Sequence, residues 1–421
     1  NLDEIALSMD FDDLVKKNYI EPALKNQERL KFLINDIERI NLYVNFENFV
    51  RMKLKFRGKI TTYRHHLCHL ASTYYPSGFN KALLFSNDGS GEYENGMLGV
   101  GNNGKIFQKK TIGEFADSLG HIYAAITFFL GWRHHCDEGI IMGLAPFGDP
   151  NDIIAGQKNK TYIQVLRDII KNKNKLSYEI NKDWIAYHIK RDTWVSEKFK
   201  KMFGKVRKSG EKINQHHKNI AAALQLRLEE VVLDKLKFAK KKYGTKKLCI
   251  AGGVGLNCSL NGKILGSKIF DEIFVQPASG DSGVALGAVY AAMAKHKGKL
   301  EIKERYNHYL GSRFNDSIYL KYIKKNNVKY SKSKKLYEET AKILSKGKIV
   351  GWFQGAAEFG PRALGNRSIL CKPYPSKMKD YLNKRVKFRE MFRPFAPAVL
   401  IEETKKYFEI NQKSPHMLIA C

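Results

Sequence analysis

Twice in this chain a short apolar run breaks into a glycine-rich loop and then into helix-compatible sequence. That alternation constrains the fold more than any other feature. KKLCIAGGVGLN, from Lys246, reads as a buried strand, a tight turn and a helix start, and DEIFVQPASGDSGVALGAVYAAMAK, from Asp271, repeats the pattern. Strands alternating with helices predict an α/β domain built on a largely parallel sheet. Just upstream, Ile220, Leu224, Leu228, Val231, Val232 and Leu236 recur at helical spacing and predict a helix over 220–243, closed by Gly244.

The rest of the chain fits around that core. Residues 1–60 carry spacing for helices and short strands, and the Lys-rich stretch 151–215 is expected to be helical insertions over one side of the domain. The polar interval Leu310–Lys335 is expected to be a linker, after which KIVGWFQG opens a second unit with another strand-like run. A length of 421 residues suits two or three compact units. No apolar run approaches the roughly 20 residues that span a bilayer, so an integral helical membrane protein is excluded. The six cysteines lack any CxxC pair, which argues against a disulfide scaffold or a Cys-based zinc site and suits a cytoplasmic setting. The chain begins at Asn1 rather than Met, so a targeting segment ahead of it stays open. The formal charge is +31, and residues 301–421 hold 26 Lys/Arg against 11 Asp/Glu. Such a balance fits nucleic acid, an anionic surface, phosphorylated small molecules, or simply solvated Lys/Asn-rich faces.

Four segments of the first part could carry chemistry. In YRHHLCHLAS, His65 and His69 stand four apart, so on a helix they share a face and can chelate one ion, whereas His66 points about 100° away. Structural histidines explain the same spacing. In ALLFSNDGSGEYENG a strand signal leads to Asp88 and glycines, where parallel sheets collect ligands; a plain Asx turn is the competing reading. Gly252, Gly253 and Asn257 lie in a strand-to-helix turn whose N–H groups could face phosphate. Asp281, in QPASGDSGVALGA, could cap the next helix or ligate a metal. Gly283, Ala285 and Gly287 are expected to pack that helix against the sheet.

The second part is arginine-rich. EFGPRALGNRSIL holds Arg362 and Arg367 between Pro361 and glycines, and KRVKFREMFRPFAP supplies Arg385, Lys387, Arg389 and Arg393 among Phe388, Phe392 and Phe395. Guanidinium forks suit phosphate or carboxylate, and arginines among aromatic rings also suit RNA.

Taken together, HHLCHLAS, SNDGSGE, SLGHIYAAITFFLGW, MGLAPFGDP, LCIAGGVGLNCSLNGKIL, QPASGDSGVALGA, GWFQGAAEFGPRALGNRSIL and KFREMFRPFAPAVL resemble, in order, the O-carbamoyltransferases of the nodulation-protein and antibiotic-tailoring type. The strings span about residues 63 to 400. The resemblance implies an actin-like ATPase-type (ASKHA) N-terminal domain over residues 1–312 and an incomplete YrdC-like C-terminal domain over 313–421. In that family the C-terminal domain makes carbamoyl adenylate from carbamoyl phosphate and ATP, and the N-terminal domain passes the carbamoyl group to an acceptor hydroxyl. The implied metal ligands are His65, His69, Asp88 and Asp281, holding iron or a similar divalent ion. The implied catalytic residues are Asp88, Arg362 and Arg367. Gly252, Gly253, Asn257, Arg362, Arg367, Lys387, Arg389 and Arg393 are the implied contacts of carbamoyl phosphate and of ATP, with Mg expected to accompany the nucleotide.

The implied partner is a small hydroxylated acceptor, with no membrane, nucleic acid not expected, and a homodimer left open. Its pocket is expected from Ser118–Trp132 and the Lys-rich insertion. Alternatives are carbamoylation-type modification of tRNA or another macromolecule, and an inactive nucleic-acid-binding relative. The chain departs from the family in DEGIIMGLAP, where Glu138 is kept but Ile140 stands at the place of the family's lysine. The resemblance also implies segments ahead of Asn1 and beyond Cys421, so the chain is expected to be an interior piece of a longer protein.

Overall fold

The first strand, β1 (Glu4–Leu7), pairs in parallel with β2 (Lys59–Thr62), and the chain then enters the main sheet of the first half. That sheet contains β3 (Lys81–Asn87), β4 (Gly96–Asn102) and β5 (Lys105–Ile112). A small hairpin of β6 (Ile170–Asn172) and β7 (Tyr178–Ile180) intervenes before β8 (Lys247–Ala251) and β9 (Glu272–Val275) join it. The strand order is β5-β4-β3-β8-β9, with β3, β8 and β9 parallel and β4 and β5 antiparallel to their neighbours. The sheet is therefore mixed rather than largely parallel. Asn103 and Gly104, both at positive φ, form the two-residue turn between β4 and β5, and such a turn can join only antiparallel strands. The computed structural model describes residues 2–173, 175–303 and 307–421.

Strand β3 is buried from Ala82 to Asn87, as a central strand covered on both faces must be. On one face Ala82 and Leu84 pack with Cys68, Leu70, Ala71 and Tyr74 of the His65–Tyr74 helix and with Ala288, Ala291 and Ala292 of the Val284–Lys297 helix. These two helices touch so closely that a Cβ on Gly287 would stand 1.9 Å from the Cys68 carbonyl oxygen. Gly287 thus serves helix-on-helix packing, not helix-on-sheet packing, and Ala285 is exposed. A Cβ on Gly283 would meet the Ala278 oxygen of its own turn.

The predicted long helix runs from Gln215 to Tyr243 and buries all six apolar positions of its stripe. It begins before Ile220 because Asn214 and His217 form a capping box, and it ends at Gly244 in the left-handed conformation. The stretch 151–215 is not purely helical. It holds the helices Tyr162–Ile169 and Glu197–Phe203 together with the β6–β7 hairpin.

The chain divides into two compact units, Asn1–Glu304 with Leu418–Ala420, and Arg305–Met417 with Cys421. The interval 310–335, expected as a linker, lies inside the second unit and contains the helix Asp316–Lys325; its Lys-rich side is simply solvated. The second unit also contains an antiparallel pair, β10 (Val350–Phe353) with β11 (Arg367–Leu370). No helix among the described residues is long and apolar enough to cross a membrane.

Candidate metal centre

Three parallel strands deliver their carboxyl ends to one place. β3 runs directly into Asp88, β8 into Gly252, and the segment after β9 reaches Asp281 in a single helical turn, Asp281–Gly283. The His65–Tyr74 helix starts alongside them, with His65 and His69 one turn apart. The two Nε2 atoms face each other at 3.0 Å, and His69 Nε2 lies 2.9 Å from Asp88 Oδ2. His65 Nε2 is 3.8 Å from Asp88 Oδ2 and 3.4 Å from Asp281 Oδ1, and His69 Nε2 is 3.7 Å from Asp281 Oδ1. All four donors lie within 4.8 Å of one another. Asp281 is therefore not the cap of the next helix, whose N-terminal position belongs to Gly283.

These spacings suit a small divalent ion. With bonds of about 2.1 Å, neighbouring donors sit about 3.0 Å apart at right angles and about 3.4 Å apart in a tetrahedron. Two imidazole lone pairs directed at each other are repulsive unless a proton or a cation lies between them. The charge balance agrees. Burial opposes charge on His65, but hydrogen bonds to Asp281 and Asp88 prevail and raise its pKa to about 10. Burial likewise works to neutralise Asp88, yet His65 and His69 hold it well below the ordinary carboxylate range. Asp281 is lowered in the same way, with the desolvation at the rim outweighed by the two imidazoles. A site that keeps two carboxylates ionised beside two imidazoles is built to hold positive charge. Its histidines are buried while the Asp281 side chain is 75% exposed, so among the four donors Asp281 marks the open side.

Glycines let the backbone crowd around Asp88. Gly252 adopts a φ of +90°, and a Cβ there would stand 2.2 Å from the Asn87 carbonyl oxygen. A Cβ on Gly253 would stand 2.8 Å from Asp88 Oδ1. These two glycines thus shape the carboxylate's surroundings. The Gly252 N–H donates to the Ser279 carbonyl, and the Asn257 side chain both caps its own helix at Leu260 and exchanges hydrogen bonds with Gln225. Asn257, expected to contact a cofactor, is engaged in holding the fold.

The supporting residues were less legible. Glu92, fully buried, accepts the backbone N–H groups of Asp10 and His65 on one oxygen, at 3.0 and 2.9 Å. Glu94, also buried, pairs with Arg64. His66 bridges Ser86 and the Glu94 carbonyl and is kept neutral by burial and by His65 and His69, a structural role as its helical phase implied. Ser118 caps the Leu119–Phe129 helix and donates to the Asp88 carbonyl. Tyr178, from the insertion hairpin, accepts from Asn87 and donates to Asn95. The two glutamates of GEYEN were visible in the sequence; their direction was not, because a loop has no fixed period. Glu138 accepts the His135 N–H at 2.5 Å, and Ile140 is buried in the core.

In the second unit the arginines divide. Arg367 donates to the carbonyls of Gln354, Asn366 and Gly355 and lies 3.8 Å from the Phe353 ring centroid. Arg389 donates to Asn383 Oδ1 and the Pro394 carbonyl and covers the Phe395 ring. Both were expected to hold phosphate, yet their guanidinium groups brace loops, because five fixed donors find backbone carbonyls close by. Arg393 lies 3.7 Å from Glu390, and Lys387 is exposed. Arg362 differs. Its buried Nε has no hydrogen-bond partner among the described residues. The loop that presents it is held by Glu358, one oxygen of which accepts the N–H groups of Leu364, Asn366 and Arg367.

Fold and donor set define an α/β protein with a two-histidine, two-aspartate centre suited to a divalent ion. The chain belongs to the carbamoyltransferase family: the family model for the carbamoyltransferase N-terminus matches residues 1–292, and that for the carbamoyltransferase C-terminus matches residues 341–421. It is 36% identical over 367 residues to an uncharacterized protein of Synechocystis, covering 85% of this chain and 58% of that one. It is 36% identical over 369 residues to nodulation protein NolNO of Sinorhizobium fredii, covering 86% and 51%. A third relative, 3'-hydroxymethylcephem-O-carbamoyltransferase of Streptomyces clavuligerus, is 36% identical over 171 residues, covering 41% and 31%. The chain thus spans little more than half the length of the first two relatives.

Proposed function

We propose that this chain is part of an ATP-dependent O-carbamoyltransferase acting on a hydroxyl of a small natural product or sugar. The observation that carries the reading is the meeting of His65, His69, Asp88 and Asp281 at the carboxyl ends of β3, β8 and β9, in a chain matched by both carbamoyltransferase domains. The relative from Streptomyces clavuligerus, by its name an O-carbamoyltransferase of a hydroxymethyl group, supports an oxygen acceptor.

In this reading the second unit takes part in activation: water cleaves carbamoyl phosphate to carbamate and phosphate, and a carbamate oxygen then displaces pyrophosphate from the α-phosphorus of ATP to give carbamoyl adenylate. Arg362 is the arginine best placed to meet an anion, since its Nε is buried without a partner and its loop is fixed by Glu358. In the first unit, His65 and His69 through Nε2, with Asp88 and Asp281, would hold a divalent ion, iron being favoured. Such an ion, when bound, supplies Lewis-acid polarisation of the carbamoyl carbonyl or of the acceptor hydroxyl. The protein's own residues do the remainder. Glu92 fixes the start of the histidine helix through the His65 N–H. The Gly89 N–H donates to Asp88 Oδ1 at 2.6 Å, leaving Oδ2 turned to the histidines. The buried histidines exclude water on the inner side, and the exposed Asp281 edge admits the acceptor.

The test is carbamoyl-phosphate-dependent exchange of pyrophosphate into ATP by the full-length protein. The reading expects exchange in the wild type and its loss in Arg362→Ala. Exchange undiminished in Arg362→Ala would remove that residue from the activation step, and wild-type exchange that does not need carbamoyl phosphate would overturn the reading.

A further inference from the structure

Beside the metal centre the first unit carries a row of rings that the carbamoyl chemistry itself does not use. It starts at His121, whose Nε2 would lie 3.2 Å from a Cβ on Gly89, the residue after Asp88. His121 Nδ1 faces the Phe115 carbonyl at 3.4 Å, and the ring itself is buried. From His121 the rings continue edge to face to His135, with centroids 5.6 Å apart, and His135 meets Trp194 at 5.3 Å. His134 packs on Trp194 at 4.3 Å, and Tyr187 lies 5.6 Å from His121 and 5.9 Å from Trp194. The row therefore runs from the foot of Asp88 outward. Two of its rings, Tyr187 and Trp194, come from the stretch 151–215, which the sequence left least legible.

The residue that stands out is His135. It is exposed, and it holds a φ of +59°, a conformation that costs a side-chain-bearing residue energy and persists only where the surroundings enforce it. The enforcing contact is its N–H, which donates to Glu138 Oε1. The turn thereby holds the imidazole between the rings of His121 and Trp194. His121 is kept uncharged by burial, with a pKa of about 4, and His134 and His135 are also shifted down by desolvation. Neutral imidazoles among aromatic faces give hydrogen-bond donors and acceptors with no net charge, together with flat apolar surface. Hydroxyl-bearing rings match both features.

We infer that His135 and Trp194, backed by the buried His121, form the acceptor shelf of the first unit, selecting an uncharged, polyhydroxylated ring and presenting one of its hydroxyls at the exposed Asp281 edge. The inference rests on the carbamoyl-transfer reading for what happens to that hydroxyl, but binding to the shelf is separately measurable. His135 and Trp194 are specificity residues: they orient the ring, and the reacting atoms lie at the metal centre.

The experiment is saturation-transfer NMR on the intact protein with methyl α-glucopyranoside, methyl α-galactopyranoside and methyl α-mannopyranoside, with glucuronate and glucosamine as charged counterparts and glycerol as the acyclic one. The shelf predicts transfer to at least one neutral pyranoside, in preference to the charged sugars and glycerol. It predicts that affinity falls roughly 3- to 10-fold in His135→Gly and in Trp194→Leu, the range expected for losing one aromatic partner. Glycine accepts the left-handed φ, so His135→Gly removes the imidazole without disturbing the turn. Absence of binding by all three pyranosides, preference for a charged sugar, or unchanged affinity in both variants would overturn the inference. Wild-type exchange assayed in parallel separates the two ideas: exchange without pyranoside binding defeats the shelf alone, whereas pyranoside binding that responds to His135→Gly in a protein without exchange defeats the carbamoyl-transfer reading alone.

Discussion

The four donors of the first unit meet side chain to side chain at the ends of buried strands, whereas Arg367 and Arg389 of the second unit turn back onto their own backbone. His65, His69, Asp88 and Asp281 come from three separate stretches of chain and satisfy one another. Arg367 opens β11 and Arg389 lies in a loop, and each satisfies carbonyl groups and a ring face close by. The difference teaches that charge density is a poor guide to a site. A guanidinium in an arginine-rich segment is as apt to brace the backbone as to meet a ligand, and a buried group that lacks a partner among the described residues, as Arg362 Nε does, is the better pointer.

The largest effect should come from breaking the quartet. His69→Ala should weaken divalent-ion affinity roughly 100- to 1,000-fold, about a quarter of the 10–16 kcal/mol that four-ligand sites can supply. Titration calorimetry against the wild type measures it. Arg367→Ala should leave that affinity unchanged, and equal losses in the two variants would erase the contrast between the regions.

Acid sensitivity comes next. An unfolded histidine titrates near 6.5, while His121 in the fold is lowered to about 4 by burial, with His135 adding to the shift. Above pH 6.5 neither state holds the proton, and this contribution to stability is complete. Between 6.5 and 4 only the unfolded state binds it, so stability falls as the pH is lowered through that window, by about 3 kcal/mol in all. Chemical denaturation at pH 7.5 and pH 4.5 should show a smaller difference in His121→Gln than in the wild type.

Gly287→Ala should destabilise the first unit by roughly 2 kcal/mol, because its methyl group would press on the Cys68 carbonyl and push the two helices apart. A thermal melt measures it, and no change would mean the helices can part without cost. The smallest effect sharpens the picture of the second unit. Glu358→Gln should cost about 1 kcal/mol by weakening three charge-assisted hydrogen bonds while the amide oxygen still accepts. Hydrogen exchange at Leu364, Asn366 and Arg367 should quicken with no change at His65.

Periodicity and local geometry made part of this legible in the sequence. The helix of 215–243 announced itself through its apolar stripe, and the phase of His65 and His69 placed both on one face and His66 off it. The antiparallel pairing of β4 and β5 is set by the Asn103–Gly104 turn, a two-residue signal far shorter than the two strand–loop–helix repeats that predict a parallel sheet. Loop residues were hardest. Glu92 and His135 take directions that the backbone sets outside any regular element, and Tyr178, which reaches Asn87 beside Asp88, and Trp194, which packs on His134 and His135, come from a Lys-rich stretch whose surface charge hides them.

The most direct measurement is the metal content of the intact protein, by elemental analysis after purification without chelators, for the wild type and His69→Ala side by side. The account predicts about one divalent ion per chain in the wild type and none in a folded His69→Ala. A wild type that takes up no divalent ion even when one is supplied, or a His69→Ala that keeps it in full, would contradict the account.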